Sequence, residues 1–156
     1  MAVAQKLASY LDRTGIEAEV LAHRRTVTAA RTAKVSHLPG DRLAKGVLLR
    51  DGVGYLLAVV PASHHLDLDV VERLCGRILS LADEDEIGRL FPDCEFGAVP
   101  PIGAAYGLPV MVDDVLAGQP DVYLEAGDHL NLLHVSGEQF ADLMQDVQHG
   151  RFSSPN

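Results

Sequence analysis

Leu43-Ala44-Lys45-Gly46-Val47-Leu48-Leu49-Arg50, then Asp51-Gly52-Val53-Gly54, then Tyr55-Leu56-Leu57-Ala58-Val59-Val60 is the stretch on which the fold turns. Two apolar runs joined by a turn of Asp and Gly predict a β-hairpin, and runs this continuously apolar belong at the centre of a sheet. Upstream, Val3, Leu7, Tyr10 and Leu11 recur at helical spacing, with Gly15 where a left-handed C-cap belongs. Glu17 to Ala22 alternates like a half-buried strand, and Thr26 to Lys34 reads as a short helix. Downstream, Asp67 is placed to cap a helix that ends before Gly76, a strand over Arg77 to Leu81 follows, and Asp83 with Glu86 starts a further helix. Pro109 to Val112, Asp121 to Glu125 and Leu130 to Val135 read as strands, and Ser136 with Gln139 forms a capping box for a closing helix over Gly137 to Gln148. Strands and helices without strict βαβ alternation predict an α+β fold: a curved mixed or antiparallel β-sheet surrounded by helices.

A chain of 156 residues, 47% hydrophobic and 22% charged, suits a single folded unit with a real core. The expected division is one domain over 1–150 and a flexible tail over 151–156. Polar Gln5, Lys6 and Ser9 interrupt the N-terminal segment, and no stretch nears the ~20 apolar residues of a membrane span, so a cytoplasmic protein without membrane contact is expected. Cys75 and Cys94 have neither CxxC spacing nor a matching His pattern, which suggests reduced thiols and no metal site.

A net charge of −9 argues against a nucleic-acid partner until its distribution is considered. From His23 to Arg50, seven basic residues (Arg24, Arg25, Arg31, Lys34, Arg42, Lys45, Arg50) stand against the single acid Asp41, while residues 51 to 156 hold four basic and eighteen acidic residues. Such asymmetry fits a basic face able to hold a short phosphate chain on an otherwise acidic body; it also fits a solvated arginine-rich helix face.

Lys45 must either snorkel to solvent or meet an anion, because its charge is costly to bury unpaired. Gly97-Ala98-Val99-Pro100-Pro101-Ile102-Gly103 is a stiff turn. The residues before each proline are pushed to extended conformations, and the glycines let a ligand approach backbone N–H groups. That geometry serves either a rigid connection or an oxyanion-binding backbone.

The order and spacing of several such pieces resemble the YbaK and prolyl-tRNA editing-domain family. They are His23 with the Thr and Ala residues after it, the strand lysine, Val59-Val60-Pro61, Leu66-Asp67-Leu68, the Gly97 to Gly103 turn, Pro109 to Asp113, and Ala126-Gly127. The resemblance implies a single-domain editing fold that hydrolyses amino acids from wrongly charged tRNA. Lys45 would be the essential catalytic residue, and Gly97 and Pro101 match the family's GxxxP loop. Gly46, Gly97, Pro100, Pro101, Ile102, Gly103 and His129 are expected to bind substrate, and Arg24, Arg25, Arg31 and Lys34 to bind the tRNA. Two positions depart from the family: Gly46 stands where Ser, Thr or Asn is usual, and Pro100 where Ser or Thr is frequent.

The expected activity is therefore that of a free-standing aminoacyl-tRNA deacylase acting on a small amino acid, Ala or Ser first, with no cofactor. Its partners would be the aminoacylated tRNA 3′ end and, if it docks, a synthetase; a monomer is the simple expectation. A catalytically silent module that binds a tRNA end or nucleotide is the rival, supported by Gly46 and Pro100. His134 is expected on the strand face opposite His129, His64 and His65 in an exposed loop, and Asp113-Asp114 in a turn and cap rather than at a metal.

Overall fold

Leu43–Arg50 (β2) and Tyr55–Pro61 (β3) form the expected hairpin, in antiparallel register from Arg50 opposite Tyr55 to Ala44 opposite Pro61. The turn is held by Asp51, whose Oδ1 accepts from the Val53 and Gly54 N–H groups and whose Oδ2 accepts from Arg77 Nε at 2.8 Å. This ion pair and the two backbone donors hold the Asp51 carboxyl well below the usual range. The computed structural model describes residues 3–156.

In chain order the remaining strands are Glu19–Ala22 (β1), His64–Leu66 (β4), Ser80–Leu81 (β5), Val110–Asp113 (β6), Asp121–Glu125 (β7), Asn131–Ser136 (β8), Gln148–Gly150 (β9) and Ser153–Pro155 (β10). The helices are Gln5–Thr14 (α1), Ala29–Val35 (α2), Leu68–Cys75 (α3), Glu84–Leu90 (α4), Asp114–Ala117 (α5) and Gly137–Leu143 (α6). The main sheet runs β1-β8-β7-β2-β3-β6-β9, with β5 on the far end of β2 and a separate β4–β10 pair. It is mixed: β7 on β2, β6 on β3 and β9 on β6 are parallel, and the other pairings are antiparallel. The fold is thus the expected α+β arrangement. Its core lies on both faces of the hairpin. Leu48, Leu57 and Val59 pack with Leu7, Phe91, Leu116 and Phe140 on one side, and Leu49, Leu56 and Val60 pack with Val71 and Phe152 on the other.

Local chemistry sets the element ends. Gly15 and Gly76 take left-handed conformations at φ 74° and 69° to end α1 and α3. Asp67, Asp83 and Ser136 cap α3, α4 and α6, the last two as full capping boxes. Three readings change. β1 is mostly exposed rather than half-buried, because it is the sheet edge. The strand expected over 77–81 shrinks to Ser80–Leu81, since Arg77 is drawn to Asp51. The closing helix stops at Leu143, and Asp146 at φ 64° turns the chain so that Gln148–Gly150 joins the sheet.

Residues 151–156 differ most from expectation. Instead of a loose tail, Ser153–Pro155 pairs with His64–Leu66, and Phe152 is buried at 1% exposure. The Phe152 N–H donates to Asp113 Oδ2 at 3.0 Å, and its carbonyl accepts from the Asp67 N–H at 2.7 Å. This strap also buries His64, whose Nδ1 lies 2.9 Å from Ser153 Oγ, so His64 is not the exposed loop residue its polar neighbours suggest; His65 is exposed. No helix among the described residues is long and apolar enough to cross a membrane.

Candidate active site

Lys45 sits where β2 changes partners. The parallel pairing with β7 covers Leu43 and Ala44, and the antiparallel pairing with β5 begins only at Leu49. Between them the edge of β2 facing β7 and β5 carries no strand, and a cavity of about 140 Å³ opens beside Lys45 and Gly46. Diverging strands expose backbone that a continuous sheet would have consumed, which makes such a gap a natural place for a ligand.

Thr28, Ala29 and Thr32 of the α2 segment close one side of the cavity. Thr28 Oγ1 caps the helix by accepting from the Arg31 N–H, and Thr26 Oγ1 lies 2.6 Å from Thr32 Oγ1, which fixes the chain leading into it. Ile87 of α4 also lines it. Phe96, Gly97 and Val99 contribute a loop, and His129 holds that loop through a hydrogen bond between its Nε2 and the Phe96 carbonyl. Gly97 has φ 81°, a left-handed conformation that favours glycine, and packs against the His129 ring. Lacking side chains, Gly46 and Gly97 present only backbone to the cavity.

Lys45 is half-buried, and burial lowers its pKa from the ordinary lysine value. It takes part in none of the ion pairs among the described residues. Glu125 closes the same cavity from the end of β7. The register that sets Leu43 beside Tyr123 and Ala44 beside Leu124 brings Lys45 and Glu125 next along their strands. Glu125 Oε1 is shut off from solvent without a hydrogen-bond partner among the described residues. Desolvation pushes its pKa up to about 7, opposed by the nearby His129.

A wider groove of about 1210 Å³ adjoins the cavity at Val27 and is lined by Arg24, Arg25, Arg31, Lys34 and His37. Arg25 reaches Glu95 at 3.2 Å in an exposed ion pair. The basic run does not act as one face: Arg42 hydrogen-bonds Gln119, and Arg50 pairs with Glu86 at the far end of β2.

Of the expected substrate residues, the structure gathers Gly46, Gly97 and His129 around Lys45. Pro100, Pro101, Ile102 and Gly103 do not line this cavity. All four are buried: Pro101 backs Gly46, with its Cα 3.6 Å from where a Gly46 Cβ would sit, and Ile102 and Gly103 border a different cleft near α6. The turn is thus support for the pocket wall, and only its first residues face the cavity. His134 stacks on Tyr123 and contacts Asp121 at 2.8 Å, away from the cavity. Asp113 is a buried cap whose carboxylate serves the Val115 and Phe152 N–H groups and the Ser153 hydroxyl. Glu125, Phe96 and the threonines of the α2 segment escaped the sequence reading. The available signal was the alternation of β7, which buries Val122 and Leu124 and turns Tyr123 and Glu125 to the face bearing Leu43 and Lys45.

The sequence pattern of the aminoacyl-tRNA editing domain matches residues 23–143, which span the cavity, the basic groove and all of the main sheet but its edge strands β1 and β9. The chain belongs to the aminoacyl-tRNA editing domain family. Among solved structures, this editing domain is similar to a candidate trans-editing enzyme for prolyl tRNA synthetase, at 25% identity and TM-score 0.84 over 97% of this chain and 96% of that one. The hypothetical protein APE2540 shares the fold at 22% identity and TM-score 0.84, over 96% of this chain and 100% of its own. A scaffold protein from epitope grafting by computational design does so at 23% identity and TM-score 0.84, over 98% and 97%. No curated protein matches the chain.

Proposed function

We propose that this single editing domain is a trans-acting aminoacyl-tRNA deacylase that hydrolyses the ester of a small misattached amino acid, Ala or Ser. The observation that carries the reading is the half-buried Lys45, which makes none of the ion pairs among the described residues and lines a cavity of about 140 Å³, within a chain of the editing family. The likeness to a candidate trans-editing enzyme for prolyl tRNA synthetase supports action in trans.

Water attacks the ester carbonyl carbon, the carbonyl oxygen takes up negative charge, and the bond to the ribose oxygen breaks. That oxygen leaves with a proton, giving free amino acid and a tRNA hydroxyl. Lys45 provides a positive charge for the carbonyl oxygen or the terminal phosphate, in surroundings where desolvation strengthens the attraction. Backbone at Gly46 and Gly97 can approach the substrate without side-chain interference, which supports the positioning on which an already activated ester chiefly depends. A cavity of about 140 Å³ favours small side chains by steric exclusion. The groove of Arg24, Arg25, Arg31 and Lys34 would take the phosphates leading to the terminal nucleotide.

Neither departure from the family pattern weakens the pocket itself. Pro100 lies outside the cavity lining, and a Cβ at Gly46 would press on Leu57 Cδ1 at 3.0 Å, so glycine relieves that contact. The test is deacylation of separately charged Ala-, Ser-, Thr-, Cys- and Pro-tRNA by catalytic amounts of protein. Wild type should clear one or two of these esters. Lys45→Ala should lose at least about 100-fold in rate, on the scale of removing an electrostatic transition-state contact, with the fold retained. Binding of tRNA without turnover would instead favour the silent module.

A further inference from the structure

Glu125 stands in the candidate active site with no part in the chemistry so far assigned. Its Oε1 is cut off from solvent and has no hydrogen-bond partner among the described residues, though the cavity lies open beside it. Lys45 lines the same cavity, one residue past the last β2–β7 pair just as Glu125 is on β7, and makes none of the ion pairs found among those residues. The pocket therefore holds a cation and a carboxylate that do not neutralise each other. Backbone N–H groups of Ala126 and His129 lower the Glu125 pKa only in part; leaving Oε1 of a desolvated carboxylate without a partner is costly, and a ligand cation placed against it would offset that cost. Burial has already raised the Glu125 pKa to about 7, the sign that the bare pocket under-stabilises its charge.

An aminoacyl ester carries one cationic group, the α-ammonium, one bond from the carbon next to the scissile carbonyl. We propose that Glu125 receives the α-ammonium of the substrate, so that the site accepts aminoacyl esters with a free amino group and turns away N-acylated ones. The assignment rests on the deacylase reading and adds to it the class of acyl group recognised. Lys45 on the electronegative side of the ester and Glu125 on its ammonium side fix the acyl group at two points, leaving its side chain to be judged by the space remaining. A carboxylate here could alternatively draw a proton from the attacking water, and the two roles part in their substrate dependence.

The experiment compares kcat/KM on Ala-tRNA and Ser-tRNA with that on their N-acetylated forms, for wild type, Glu125→Gln and Glu125→Asp, all as the full chain. Wild type is expected to lose about 10- to 100-fold on N-acetylation, the scale of a hydrogen bond to a charged group. Glu125→Gln should lose a similar factor on the free-amine ester and cleave both forms at nearly one rate, and Glu125→Asp should regain part of the preference. Because the readout is a ratio between substrates, a partly unfolded variant does not distort it. Equal cleavage of both forms by wild type overturns the proposal, and so does a preference that survives in Glu125→Gln. A carboxylate serving only to activate water would slow both forms equally in Glu125→Gln, with no preference in wild type. A wild-type protein that cleaves no ester at all removes the deacylase reading and this proposal with it, an outcome distinct from loss of the preference alone.

Discussion

Glu125 is costly to keep ionised where it stands. Its carboxyl is raised from an ordinary 4.5 to about 7, so between those values the folded protein binds a proton that the unfolded chain does not. Stability therefore falls as pH rises through this window, by at most about 3 kcal/mol, and the cost is fully present above pH 7. Asp128 and His129 bear on the group with opposite signs, Asp128 raising and His129 lowering it, and neither changes the dominance of burial. Glu125→Gln should consequently melt at a higher temperature than wild type at pH 8, with the gap closing as pH falls from about 7 towards 4.5; thermal melts across that range check it. Lys45 was singled out by the family resemblance, because a lysine at the start of an apolar run can equally snorkel to solvent. Glu125 was not, because an acid ending a strand before Ala126-Gly127 looks like ordinary turn chemistry until the β2–β7 register turns it to the face that bears the lysine. His129 was legible through its place after Ala126-Gly127, while its actual task, fastening the Phe96 carbonyl, depends on a loop that arrives from elsewhere in the chain.

The elements themselves were largely readable, since their ends are written in local chemistry: Gly15 and Gly76 as left-handed stops, Asp67, Asp83 and Ser136 as caps. What the sequence hid was non-local pairing. Residues 151–156 carry the turn-rich composition of a frayed end, and nothing local announces that Phe152 fills a gap between β3 and α3. Phe152→Ala should cost about 3 to 5 kcal/mol, the range for emptying a buried aromatic site, and should shift the denaturation midpoint without changing the dependence on denaturant. A loss under about 1 kcal/mol would mean that the strap adds little. The Gly97 to Gly103 turn gives the complementary lesson. Its stiffness was legible, but which of its residues face the ligand was not, because burial of Pro100 to Gly103 is decided by contacts with β2 and β6.

At the scale of the whole molecule, an acidic body with net charge −9 bears one groove lined by Arg24, Arg25, Arg31 and Lys34. That polarity should make tRNA affinity steeply salt-dependent and confined to this side. Replacing Arg31 and Lys34 together by Gln should weaken binding and reduce the slope of log K against log salt by about 0.7 to 0.9 for each phosphate that is no longer neutralised. Unchanged slopes in salt titrations would place the nucleic acid elsewhere. The switch of partners along β2 has a further consequence, for the order of assembly. The lysine is made early in synthesis, but the Glu125 and His129 side of its cavity comes with β7 and the turn after it, joined to β2 by a parallel pairing of residues about half the chain apart. Such long-range contacts form late in folding, after their loop-closure cost has been met. A half-made or partly unfolded chain therefore carries the lysine without the walls of its cavity, which close only when β7 and His129 have joined β2.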